Sequence, residues 1–489
     1  MKKNIQVSSL VFVFLLGIQI NFAQKRKKGF VQKPNVIIIN VDDMGYGDLA
    51  SYGNKLWDTP NIDRLVKTGV RMTDGYVTAP VCGPSRHGLI LGMYQQRLGF
   101  QWNHDSRKLG DGSSPQVVPD SQKQINEAFS AAGYVTAMAG KYHMQGYPNT
   151  KFDHNYSITT TGAHYFPDAT GKYAGVDDLD GKKSKPKKGW IPRMWGPERE
   201  GDEYLTDRVG RQCIEFMDEN KEKPFFFYLA FNAVHSPFHA KKSHLPKVKH
   251  IKSEMMKLYA AMSISIDENV GKILDYLEKE NLRENTIVVF LSDNGPANVV
   301  HLSLKDWWPK DSPYHLMGQR AGLSGYKGIF REAGIRVPYI ISWPSQLPQN
   351  EVFEKSVSTL DIYPTLCAAA DVKVPSETRL DGVNLLPWLR GDYQEDPHKA
   401  LFWYANRMGA VRIGDWKLML EDNKPYLFNL KNDIGETTNL VKKEPLKLKE
   451  LYNAYIGFRN EMPPALNPGA RPIDIPSPDV LGIPIIEGN

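Results

Sequence analysis

Five short apolar runs do most to limit what this chain can fold into: Asn35 to Val41 (NVIIINV), Tyr134 to Ala139, Pro224 to Ala230 (PFFFYLA), Thr286 to Leu291 (TIVVFL) and Val337 to Ser342. They show no polar alternation, which is the pattern of parallel strands covered on both faces. Between them lie stretches of helical period, including Ser121 to Ala132, Tyr204 to Asn220 and Ser253 to Lys279. This alternation predicts an α/β fold with a mostly parallel central sheet sandwiched by helices. With 489 residues, 41% of them hydrophobic, the chain can bury one large core and a smaller appendage.

The texture changes after about residue 395. Candidate strands at Ala400 to Tyr404, Ala410 to Ile413, Trp416 to Leu420 and Pro425 to Leu430 are separated by Gly, Asp and Asn turns, and a helix is expected near Pro445 to Gly457. A smaller α+β subdomain with an antiparallel sheet fits. The tail from Met462 is rich in proline and is expected to lack regular structure. The expected division is a leader over 1–23, a catalytic domain over 24–395, and the C-terminal subdomain with its tail over 396–489.

Lys2 and Lys3 precede an apolar run from about Val7 to Ile20 and then the small Ala23, the layout of a secretory signal peptide. That run is shorter than the ~20 apolar residues that span a bilayer. No cysteine lies near the cleavage region, so the reading is a secreted or periplasmic protein with no lipid anchor and no membrane span. The formal charge of +6 is concentrated in two lysine clusters, at 182–188 and 241–252, which suit an anionic partner as well as they suit a solvated surface. Nucleic acid is a poor candidate partner, given the leader and the lack of a recognised nucleic-acid module.

Three cysteines cannot be the framework of a secreted fold. Cys213 and Cys367 sit in helix-like apolar stretches and read as small buried hydrophobes, with a bridge between them left open. Cys82 differs, because Gly83, Pro84 and a polar helix start come directly after it.

In open parallel sheets, ligands bind beyond the carboxyl ends of the strands. The residues just past the runs form a consistent set: Asp42 and Asp43 after the first, Lys141 and His143 after the second, His235 after the third, Asp293 and Asn294 after the fourth. Asp42, Asp43, Asp293 and Asn294 offer only oxygen, which favours a hard cation, Ca²⁺ first and Mg²⁺ second, over zinc. Adjacent carboxylates at 42 and 43 would repel each other without a cation between them.

The segment VCGPSRHGLILG carries C-x-P-S-R and a glycine six residues past the arginine, at Cys82, Pro84, Ser85, Arg86 and Gly92. This resembles the signature of formylglycine-dependent sulfatases, in the alkaline-phosphatase-like superfamily that includes secreted bacterial polysaccharide sulfatases. The likeness continues through NVDDMGYGD, GKYHMQG, His235-Ser236-Pro237, LSDNGP, GYKGIFREAGIRVP and DIYPTL. Tyr142, Met144 and Leu91 depart from commoner family residues without touching a reactive group.

The resemblance implies that Cys82 is oxidised to formylglycine by a formylglycine-generating enzyme or an anaerobic maturase, and that this residue is both nucleophile and metal ligand. It implies further that Arg86 holds the aldehyde hydrate, that Lys141 and Lys327 clamp sulfate oxygens, that His235 protonates the leaving alcohol and that His143 assists breakdown of the sulfated intermediate. The expected substrate is a sulfated carbohydrate: algal, such as ulvan or carrageenan, or a glycosaminoglycan. His104, His301, Trp307 and Trp308 are candidates for a sugar subsite. Two rivals stand beside this reading, a formylglycine-dependent phosphodiester or phosphonate hydrolase and a non-catalytic binder of sulfated glycans.

Overall fold

In the computed structural model, the described residues are 33–103, 118–144, 151–160, 162–167, 173, 176–177, 201–298, 317–405, 408–422 and 424–466. The expected leader, the lysine cluster at 182–188, most of the proline-rich tail, and His104, His301, Trp307 and Trp308 lie outside them.

The apolar runs become the middle of a nine-stranded sheet. Its strands are Asn35–Val41 (β1), Val70–Met72 (β2), Val135–Lys141 (β3), His154–Thr159 (β4), Val176–Asp177 (β5), Phe225–Ala230 (β6), Thr286–Ser292 (β7), Tyr339–Ser342 (β8) and Glu351–Phe353 (β9). The order across the sheet is β9-β2-β8-β7-β1-β6-β3-β4-β5. β1 runs parallel to both neighbours, with Ile38 opposite Tyr228 and Val289, and β3 extends the parallel set between β6 and β4. One expectation fails: β8 runs antiparallel to β7 rather than parallel, and starts at Tyr339 instead of Val337. A strand buried on both faces carries the same apolar signal in either direction, so the run could not reveal its polarity.

Successive residues of these strands enter different cores. Ile37, Ile39, Phe225, Phe227 and Phe290 pack with the helices Leu205–Asn220 and Glu254–Lys279. Val36, Ile38, Phe226, Val289 and Leu291 pack with the helices Cys82–Leu91 (α1), Ile125–Ala131 (α2) and Ile362–Ala369 (α3). Helices therefore cover both faces. Cys213 belongs to the first core and Cys367 to the second; both are buried and free, with the sheet between them.

The C-terminal sheet is an antiparallel meander of Leu401–Ala405 (β10), Met408–Ile413 (β11), Trp416–Glu421 (β12) and Lys424–Asn429 (β13). The helix Pro445–Asn460 (α4) closes one face, packing Leu448, Leu451 and Tyr455 on Val411, Leu418 and Leu427. Among the described residues, no helix is long and apolar enough to cross a membrane.

Candidate active site

The site gathers where β1, β3, β6 and β7 end. Beyond β1 the chain turns sharply: Asp42 exchanges backbone hydrogen bonds with Ala233 and Val234, and Asp43 takes a left-handed backbone with φ +63°. Asp43 N–H donates to Asp293 Oδ1 (3.3 Å), and Met44 N–H donates to Ser292 Oγ (2.9 Å). These bonds tie the loop after β1 to the loop after β7.

Cys82 opens α1, whose residues are all buried, and Gly83 N–H donates to Asn103 Oδ1 (2.9 Å). A group at this position faces the positive end of the helix dipole, which favours negative charge there. Burial, reinforced by Asp42, pushes the Cys82 thiol up to about 12 against the pull of Lys141 and Lys327.

Each carboxylate has its own cation. Lys141 Nζ donates to Asp42 Oδ2 (2.6 Å), Lys327 Nζ to Asp43 Oδ1 (2.7 Å), and Arg86 Nε to Asp293 Oδ2 (2.8 Å). Lys327 Nζ also lies 3.1 Å from Cys82 Sγ. Burial alone would raise the Asp42 pKa, but Lys141, His235, Arg86 and Lys327 together hold it well below the ordinary carboxylate range. The repulsion expected between Asp42 and Asp43 is therefore already offset by the protein's own lysines. Repulsion between these two carboxylates does not by itself require a metal.

A different observation supports a cation. Asp42 Oδ1, Asp43 Oδ2 and Asn294 Oδ1 are buried and accept no hydrogen bond from the described residues. One ligand atom each from Asp42, Asp43, Cys82 and Asp293 can be chosen so that all lie within 4.8 Å of one another. Buried polar atoms without partners are rare in folded proteins. A hard cation would satisfy these oxygens, and the donor set fits one.

The two histidines flank this cluster. His235 Nδ1 lies 2.7 Å from the Ser236 carbonyl, which can only accept, so Nδ1 carries the proton and Nε2 faces Asp43 Oδ2 at 3.8 Å. Burial, opposed by Asp42, lowers the His235 pKa. His143 lies just past β3 with φ +46°. A Cβ built on Gly83 would meet its Nε2 at 3.6 Å, so the ring lies beside the start of α1. Burial, then Lys141 and Arg86, push the His143 pKa well down and keep its ring neutral.

All nine of Asp42, Asp43, Cys82, Arg86, Lys141, His143, His235, Asp293 and Asn294 converge here, and Lys327 joins them from the loop before β8. Sequence reasoning missed Tyr228, whose hydroxyl lies 3.4 Å from Arg86 Nη1 and accepts from Asn40 Nδ2 (2.8 Å). Its signal was a lone hydroxyl inside the PFFFYLA run. Asn103 carried no such signal. Of the second lysine cluster, Lys241 and Lys247 are engaged in ion pairs with Asp207 and Glu268, while Lys249 and Lys252 are exposed.

Comparison with known proteins places the chain in a family. The sulfatase family model matches residues 34–372, and a model described as N-sulphoglucosamine sulphohydrolase, C-terminal, matches 326–454. A sulfatase of Formosa agariphila is 30% identical over 526 residues, covering 90% of each chain. The N-acetylgalactosamine-6-O-sulfatase of Bacteroides thetaiotaomicron is 27% identical, over 86% of this chain and 92% of that one. The solved structure of Ps i-CgsB in complex with k-i-k-neocarrahexaose is 33% identical, with a TM-score of 0.73 over 88% of this chain and 94% of that one. The chain thus belongs to the sulfatase family of sulfuric ester hydrolases.

Proposed function

We propose that this sulfatase removes sulfate from a sulfated polysaccharide or its oligosaccharides, using a formylglycine made from Cys82 and a bound Ca²⁺, with Mg²⁺ as the alternative ion. The observation that carries the reading is the convergence of Lys141, Lys327, Arg86 and both histidines on the buried start of α1. Asp42, Asp43, Asp293, Asn294 and the residue at 82 would hold the ion, which when bound supplies positive charge against sulfate oxygens.

The residue types suit the chemistry. A hydrated aldehyde at position 82 presents two hydroxyls on one carbon. One, ionised with loss of its proton to solvent, would attack sulfur and form an S–O bond as the bond from sulfur to the alcohol oxygen breaks. That oxygen takes a proton from His235 Nε2, leaving a sulfated hemiacetal. His143 then accepts the proton of the second hydroxyl, sulfate departs, and the aldehyde reforms. Lys141 and Lys327 face the sulfate oxygens, and Arg86, fixed by Asp293, orients the hydrate. His235 is below its usual pKa here; an arriving anionic ester favours its protonated form.

The substrate class rests on the named relatives, one solved with a neocarrahexaose and one an N-acetylgalactosamine-6-O-sulfatase. A carrageenan-type oligosaccharide is the leading candidate, with ulvan and glycosaminoglycan fragments next. Residues 1–23 act as a removable signal peptide, so the enzyme works outside the cytoplasm. Maturation is by a formylglycine-generating enzyme or an anaerobic maturase.

Peptide mass spectrometry on active enzyme tests the core of this reading. The Cys82 peptide should carry the aldehyde, and Cys82→Ala should be inactive yet folded. A fully active preparation with only unmodified Cys82 would overturn it. Faster turnover of an aryl phosphodiester than of an aryl sulfate would move the activity to a phosphoester. Desulfation across a panel of sulfated oligosaccharides then identifies the sugar.

A further inference from the structure

We infer that Glu436, on the turn after the C-terminal sheet, is a positioning residue for Lys327: it clamps both ends of the loop that carries this lysine into the active site. Lys327 lies between Gly325 and Gly328, which have φ +90° and +98°. Two left-handed glycines leave the loop little intrinsic stiffness. Its shape must come from contacts.

One carboxylate supplies many of them. Glu436 Oε2 accepts from Ser324 Oγ (2.6 Å) at the start of the loop and from Glu332 N–H (2.9 Å) at its end. The Glu436 carbonyl accepts from Arg331 Nη1 (3.1 Å). Ala333 N–H donates to the Ser324 carbonyl (2.8 Å) and closes the base of the loop. Glu436 is 3% exposed and has φ +53°, a conformation that non-glycine residues hold only where their surroundings demand it.

The clamp is itself anchored. Lys417 on β12 is fully buried between two carboxylates, donating to Glu332 Oε1 (2.7 Å) and lying 2.9 Å from Glu436 Oε1 in an ion contact outside hydrogen-bond geometry. Glu332 Oε2 accepts from the Tyr76 hydroxyl (2.6 Å). The C-terminal sheet thus reaches Lys327 through Lys417, Glu436 and the loop. From its Cα, Lys327 extends to Asp43 and Cys82.

A displacement of about 1 Å at a positioned group can cost ~100-fold in rate, so partial loosening of the loop should cost about tenfold. The inference rests on the role proposed above for Lys327, and a double-mutant cycle on kcat/KM for an aryl sulfate separates the two. Glu436→Gln keeps the shape and removes the charge; Lys327→Ala removes the group it positions. Expected are a loss of about tenfold for Glu436→Gln and ~100-fold or more for Lys327→Ala, with Glu436→Gln adding less than about twofold once Lys327 is gone. The inhibition constant of inorganic sulfate should rise with the first change and not further in the double variant. Losses that multiply in the double variant would overturn the positioning inference and leave the role of Lys327 standing. Unchanged kcat/KM in Lys327→Ala would overturn that role, and the inference with it. Melting temperatures report folding, and if Glu436→Gln does not fold, Ser324→Ala, which removes only the loop-side hydroxyl, completes the same cycle.

Discussion

Metal binding should be readable as heat stability without any turnover. The folded chain offers a cation three buried oxygens that accept no hydrogen bond from the described residues, on Asp42, Asp43 and Asn294; an unfolded chain offers no such cluster. An ion present at 100 times its Kd that binds only the folded form adds about 2.7 kcal/mol. The unit Pro34–Asn489 has roughly 450 residues, and at ~2.1 cal/mol/K per residue its unfolding entropy is about 0.95 kcal/mol/K. The melting temperature should therefore rise by about 3 °C, and by about 1.4 °C for each further tenfold excess of ion. The assay is thermal unfolding of chelator-stripped protein titrated with Ca²⁺, Mg²⁺ or Zn²⁺ at constant ionic strength. Asp43→Asn should flatten the calcium response. A wild-type melting point that ignores calcium, or an Asp43→Asn slope equal to wild type, would refute the reasoning. A steeper zinc slope would reassign the ion.

Three further outcomes are expected. His235→Ala should slow sugar sulfates by about 100-fold to 10,000-fold and activated aryl sulfates far less, because an alkoxide needs a proton more than a phenolate does; equal losses would indicate a positioning role. His398 is 9% exposed and contacts both Asp361 oxygens at 2.9 and 2.8 Å; burial lowers its pKa, but Asp361 prevails and raises it above 6.5. Its stabilisation is thus complete below about pH 6.5 and lost as pH climbs through the raised value. His398→Gln should weaken the fall in melting temperature over that window, and an unchanged pH profile would refute the pairing. Gly140 has φ +90°, and a Cβ there would lie 2.0 Å from the Ala230 carbonyl oxygen. Gly140→Ala should therefore displace Lys141 and destabilise the chain by roughly 1–3 kcal/mol or more, measured by urea denaturation. A neutral result would refute that packing.

Much of the fold was legible because burial on both sheet faces leaves an unbroken apolar run, as in NVIIINV and PFFFYLA. The C-terminal strands were found within one or two residues, since Gly, Asp and Asn mark their turns. Strand direction at 339–342 was not legible, nor were the short strands at 70–72, 154–159 and 351–353, which lean on neighbours more than on their own pattern. At the site, Asp42, Asp43, Asp293 and Asn294 could be read because the rule of strand ends points to them. Lys327 required the resemblance, as it lies at the end of no strand. Glu436 lay beyond any local signal: it comes from the turn after the last strand and meets a loop more than 100 residues earlier.

If Cys82 is converted as proposed above, its burial sets a deadline in the life of the chain. The residue is 1% exposed at the start of a helix whose ten residues are all buried, and no other protein can close an active site around it there. An enzyme that rewrites this side chain would have to reach it before the segment folds. Collapse of the second core, in which Leu89, Ile90 and Leu91 are embedded, ends that opportunity. Under the proposed conversion, the yield of mature enzyme would be decided by a race between two rates, and slower folding or more abundant maturase would raise it without changing a single contact of the finished protein.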